Sequence, residues 1–216
     1  ITEDGFGLVV GHEIRHHLGG FRFVQDWAAN EGQSDMYATS AYARKLFSEN
    51  AFLSEQADSK LPANMKAKCD ARYLTVTDRD ICYRSLVAGK SLADLLGALH
   101  HDVVKFDTPD THVVKTTDDE HPAAQCRLDT YVASALCGND TWDYGLIPGK
   151  SFSDTNSMES QKEAYEHSCS EGEGARPRCW FAPVTPAKCP SSSTKVCKLI
   201  CKVTPQKSWC KDYSAL

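Results

Sequence analysis

No stretch of the chain approaches the roughly 20 consecutive apolar residues that a membrane-spanning helix needs, so no transmembrane segment is expected. No secretory signal peptide is visible, and the first residue is Ile1 rather than methionine, which fits a mature or trimmed product. Paired C-x2-C knuckles are missing. The nearest approach is Cys197-x3-Cys201, which argues against a cysteine-rich structural zinc module. No nucleic-acid-binding motif appears and the net charge is −5, so nucleic acid is not an expected partner. The first 68 residues also lack cysteine altogether.

All ten cysteines follow, from Cys69 to Cys210. Their even number reads as a disulfide framework formed in an oxidising compartment, and hence as a secreted, periplasmic or cell-surface location. Cys69 with Cys82 and Cys126 with Cys137 are the expected local bridges, although spacing alone leaves the connectivity open. At 216 residues, with 41% hydrophobic and 25% charged content, the chain has material for one large domain or one domain with an appendage.

The thiol-free N-terminal part carries His12-Glu13-Ile14-Arg15-His16 and, fifteen residues after His16, Glu31-Gly32-Gln33-Ser34-Asp35. Histidines four apart on a helix project from one face, so His12 and His16 can reach a single metal ion. Glu13 is rotated to the flank, where it can take a proton from an activated water. A catalytic zinc takes three protein ligands and keeps one open position. Glu31, in the first turn of a second helix capped by Asn30, is the candidate third ligand. Asp35, one turn further on, is placed to orient a ligand histidine through its other ring nitrogen. Gly19-Gly20 is a natural stop for the first helix, and residues 21–29 can turn the chain back. His17 points away from His16 and reads as a helix-end residue rather than a fourth ligand. Other charged helical faces also carry His and Glu, so a surface His/Glu/His helix is the alternative to a metal site.

At these residues the chain resembles the thermolysin-like zinc metallopeptidases, the gluzincins, in which HExxH is followed by an NExxSD-type segment. The segments here read His-Glu-Ile-Arg-His and Asn-Glu-Gly-Gln-Ser-Asp, and the resemblance covers about residues 8 to 45. It implies one zinc ion per chain, ligands at His12, His16 and Glu31, a general base at Glu13 and an orienting acid at Asp35. The gap between the motifs is shorter than is usual in thermolysin itself. Eleven residues precede His12, where that family has a sheet whose edge strand holds the substrate.

Beyond the two motifs, the expected elements are a helix over residues 31–49, a short strand or bridge-tied loop at residues 73–77, and an amphipathic helix over residues 91–101. In that last helix Leu92, Leu95, Leu96 and Leu99 share a face. An acidic irregular loop over residues 102–120 precedes a helix over residues 123–137, opened by His121-Pro122. A loop over residues 138–157 carries Trp142, Tyr144 and Pro148, and a further helix covers residues 158–169. Asn139-Asp140-Thr141 fits a glycosylation acceptor. From residue 176 the charge reverses, with eight Lys/Arg against one acidic residue, Asp212, and five of the ten cysteines. This tail complements the acidic remainder, and it would also suit an anionic cell-surface polymer.

The expected fold is therefore α+β and predominantly helical: a zincin-like helical core over residues 1–175 and a basic, cystine-rich, loop-rich segment over residues 176–216. The expected function is that of a secreted zinc metallopeptidase acting on a peptide or protein substrate. An oxyanion stabiliser is needed as well, and His121, Arg127, Tyr131 and Tyr144 are the candidates. The rival readings are an inactive metal-binding or disulfide-stapled surface-binding module, and a zinc amidase acting on cell wall crosslinks.

Overall fold

The computed structural model describes residues 1–18, 23–25, 28–49, 57–137, 169 and 172–182. By packing, Ile1–Phe181 forms one unit and Ala182–Leu216 a second. The described part is predominantly helical, with two short strands. Helix α1 spans Glu3–Leu18, with Glu3 and Asp4 in its first turn and Arg15, His16 and His17 in its last, so charge at both ends opposes the helix dipole. Strands β1 (Phe23–Gln25) and β2 (Ala28–Ala29) then reverse the chain as an antiparallel pair. Helix α2 (Glu31–Tyr37) begins directly afterwards at Asn30, whose side chain accepts a hydrogen bond from the Gln33 N–H.

The expected long helix over residues 31–49 is present but interrupted. Between α2 and α3 (Arg44–Ser48) lies a π-helical segment, Ala38–Ala43. There the Tyr42 ring lies so close to Gly11 that any Cβ at that position would collide with it. Gly11 therefore lets the π segment approach α1 immediately beside His12.

Helix α4 spans Ala63–Arg72 and α5 spans Val76–His100. Of the two readings of residues 73–77, the strand is absent and the bridge-tied loop holds for residues 73–75, inside the Cys69–Cys82 bridge; Thr75 then caps α5 by accepting from the Asp78 N–H at 3.1 Å, so helix starts where β-prone residues suggested extended chain. The helix expected over residues 91–101 is present as the last two-fifths of this 25-residue element. Its leucines are also divided, since Leu92 is buried while Leu95 and Leu99 are exposed. His101 ends α5 in the left-handed conformation (φ 61°), and the Asp102 N–H reaches back to the Gly97 carbonyl at 2.8 Å. Residues 102–120 are irregular, as expected, and α6 covers Ala124–Leu136, within a residue of expectation.

Helices α1, α5 and α6 enclose the principal core, formed by Leu8, Ile81, Ala88, Leu92, Leu128 and Tyr131 together with Phe47 of α3. Arg84 of α5 fixes the start of α1 by donating to both Asp4 carboxylate oxygens at 2.7 Å, with its guanidinium over the Phe47 ring. A second cluster, including Met65, Tyr73, Leu86 and Leu136, lies beneath α4. A third gathers Met36, Trp180 and Phe181 around cystines.

The Cys69–Cys82 bridge is formed as expected and ties α4 to α5. Cys126 does not pair with Cys137. It joins Cys179, and Cys137 joins Cys169. The physical reason is that Cys126 and Cys137 lie eleven residues apart at opposite ends of one rigid helix, about 16 Å along its axis. A disulfide needs its two α-carbons within about 7 Å. Trp142, Tyr144, the helix expected over residues 158–169 apart from Cys169 itself, and the last four cysteines lie outside the described residues. Among the described residues no helix is long and apolar enough to cross a membrane.

Candidate metal centre

Antiparallel return of the chain through β1 and β2 sets the start of α2 against the last turns of α1. Donor atoms of His12, His16 and Glu31 thereby come within 4.8 Å of one another. His12 Nε2 stands 3.1 Å from Glu31 Oε2, and His16 Nε2 stands 3.5 Å from Oε1. For metal–ligand bonds of 2.0–2.1 Å, the edge of a tetrahedron is about 3.4 Å, so these separations suit ligands sharing one ion.

What faces the rings from behind decides which nitrogen is available. His12 Nδ1 lies 2.8 Å from Asp35 Oδ1. His16 Nδ1 lies 2.7 Å from the Ala29 carbonyl oxygen and 3.1 Å from Ser34 Oγ. A carboxylate and a carbonyl can only accept, so each Nδ1 carries a proton and donates it, and each Nε2 is turned toward Glu31, where it offers a lone pair to a cation once deprotonated. Two lone pairs facing a carboxylate repel unless a proton or a cation lies between them. Glu31 Oε2 is also buried and outside any regular hydrogen bond, with His12 Nε2 at 3.1 Å as its charged neighbour when His12 is protonated. This orphaned oxygen, together with the two outward-turned lone pairs, fits a divalent cation and the His2Glu donor set favoured by zinc.

Asp35 is the anchor behind the site. It is fully buried, and Arg127 of α6 donates to both of its oxygens at 2.7 Å while the Tyr131 hydroxyl donates at 2.9 Å. Burial alone would raise its pKa, but the Arg127 guanidinium and His12 hold the carboxyl down at about 2. Burial likewise disfavours charge on His12, yet the Asp35 and Glu31 carboxylates outweigh it and lift the metal-free imidazole to about 9. Burial pushes Glu31 up, and His12, His16 and His121 bring it below its ordinary value.

A pH dependence follows from the His12 shift. In the metal-free protein His12 holds a proton at neutral pH, and this proton must leave before a cation can enter. Metal affinity should therefore rise about tenfold per pH unit and level off near pH 9. The stability that protonated His12 gives the metal-free protein has the opposite trend. It is complete below the unfolded value of about 6.5 and lost as pH rises through about 9. Titrations of metal binding across pH 6–10, paired with thermal melts of the metal-free protein, check both signs. A flat affinity profile would remove His12 from the site.

Glu13, one residue along from His12, is exposed on the flank of α1. His121, just before α6, is also largely exposed and places Nε2 at 3.4 Å from Glu31 Oε1. Arg127 and Tyr131 are spent on Asp35 in the interior and do not stand at the open side. Tyr144 lies outside the described residues.

Sequence reading missed Ser34 and the Ala29 carbonyl as partners of His16. Ser34 had a visible signal in its place inside the second motif, whereas the carbonyl depends on how the β1–β2 turn folds. No family model, curated protein or solved structure matches the chain.

Proposed function

We propose that this chain is a zinc-dependent metallopeptidase. The observation that carries the reading is the convergence of His12 Nε2, His16 Nε2 and the Glu31 carboxylate, with both histidines held from behind through Nδ1. Bound between these groups, a zinc ion would supply the Lewis acidity that polarises a scissile carbonyl and acidifies a water. The remaining work falls to the chain's own residues. Glu13, solvent-facing beside His12, accepts the proton of the attacking water and passes it to the leaving amine. His121, at the exposed edge of Glu31, is the described candidate that can reach an oxyanion forming on the open side. Asp35 and Arg127 keep His12 in the Nδ1–H tautomer through which Nε2 can ligate.

The three described disulfides support formation in an oxidising compartment, hence a secreted or cell-surface protein. The test of the metal site is elemental mass spectrometry of the purified protein beside its His12→Ala and Glu31→Ala variants. One zinc per chain, lost from both variants, is the expected result. No zinc, or zinc that survives both substitutions, would overturn the reading.

A further inference from the structure

We propose that Trp180, held in place by the Cys126–Cys179 disulfide, is a positioning residue for the metal ligand Glu31. The inference rests on the metal-site reading and deepens it. Glu31 is the only one of the three proposed ligands outside α1, so the site closes only if the start of α2 is held at the right depth. Every residue next to it in that turn is gripped by the segment around Trp180.

Trp180 is fully buried, and its indole covers Gly32 so closely that no Cβ could be accommodated there. The indole Nε1–H donates to Thr130 Oγ1 of α6 at 2.9 Å, fixing the ring. The Trp180 carbonyl accepts from the Asp118 N–H at 2.8 Å, and the Asp118 carbonyl accepts from Asn30 Nδ2 at 3.1 Å. Arg176 Nε donates to Gln33 Oε1 at 2.8 Å. Asn30, Gly32 and Gln33 are thus all held, directly or through Asp118, by residues 176–180. Asp118 is also three residues before His121, so one strap sets the ligand and the candidate oxyanion donor together. The disulfide fastens this strap to α6, the helix that carries Arg127 and Tyr131 beneath Asp35. It follows that the metal centre reaches its full affinity only when Cys126 and Cys179 are joined.

The experiment measures zinc affinity, by competition with a chromophoric chelator, for the wild type, Trp180→Ala and the double variant Cys126→Ala/Cys179→Ala. Met65→Ala serves as the comparison, because Met65 is equally buried but belongs to the cluster beneath α4. Thermal melts of each metal-free protein report folding separately. Supporting partners of metal ligands typically cost 10–100-fold in affinity when removed, and a loss of about that size is expected for both strap variants. Met65→Ala should lower the melting temperature and leave zinc affinity unchanged. Wild-type affinity in the strap variants, or an equal loss in Met65→Ala, would overturn the proposal. Should Trp180→Ala fail to fold, Trp180→Phe, which removes the bond to Thr130 and part of the ring, decides by the same comparison. A wild type that binds no zinc would sink the metal site itself, a result distinct from wild-type binding that the strap variants retain.

Discussion

Exchanging Glu13 for glutamine is expected to leave zinc content at the wild-type level and to lower peptide hydrolysis by about 10²–10⁴-fold, the usual contribution of a general base. Glutamine keeps the size of the side chain and its solvent-facing place on α1 but cannot accept a proton at neutral pH. Because Glu13 is exposed, the exchange should hardly disturb packing. Three outcomes separate the readings. Full metal with lost hydrolysis supports the peptidase. Full metal with unchanged hydrolysis places the base elsewhere. Full metal with no peptide hydrolysis even in the wild type favours a metal-binding module or an amidase, and assays on cell wall crosslinks then distinguish those two.

The second large effect is expected at Arg127. Its guanidinium is the principal countercharge to Asp35, which has no exposed surface at all. Arg127→Met fills much of the same volume and leaves a buried carboxylate with only His12 and the Tyr131 hydroxyl to compensate it. Breaking a buried pair in this one-sided way costs about 3–5 kcal/mol, a large share of the stability of an ordinary domain. Denaturant unfolding of the metal-free protein measures the loss. Tyr131→Phe removes a single hydrogen bond to the same oxygen and should cost less, about 1 kcal/mol. The Asp35 pKa should also climb in Arg127→Met, so acid unfolding should begin at higher pH than in the wild type. If Arg127→Met proved no more costly than Tyr131→Phe, Asp35 would not depend on the ion pair, and its role behind His12 would need another explanation.

The proposed metal ligands were legible because their information is local. His12 and His16 share a face through helical periodicity, Asn30 announces the start of α2, and Asp35 follows Glu31 by one turn. The long α5 was not legible in full. Its first half mixes charged and small residues without a clean stripe, and its start depends on Thr75 capping a stretch that reads as strand. The pairing of Cys126 was hidden because Cys179 lies 53 residues away, while Cys137 sits nearby in sequence but at the far end of the same rigid helix.

Arg127 and Tyr131 show the same division. Their spacing on α6 places both side chains on one face, which the sequence determines by itself, along with the helical character of the chain and the candidate cluster at residues 12, 16 and 31. Whether that face meets substrate or interior was decided by the packing of α6 beneath α2, which turned both side chains onto Asp35. The Trp180 strap was likewise a tertiary decision. A basic tail read alone gives no sign that its first residues fill the space over Gly32. Helical periodicity needs only neighbours three or four residues away, whereas burial and ion pairing depend on surfaces that meet only when the whole unit has folded.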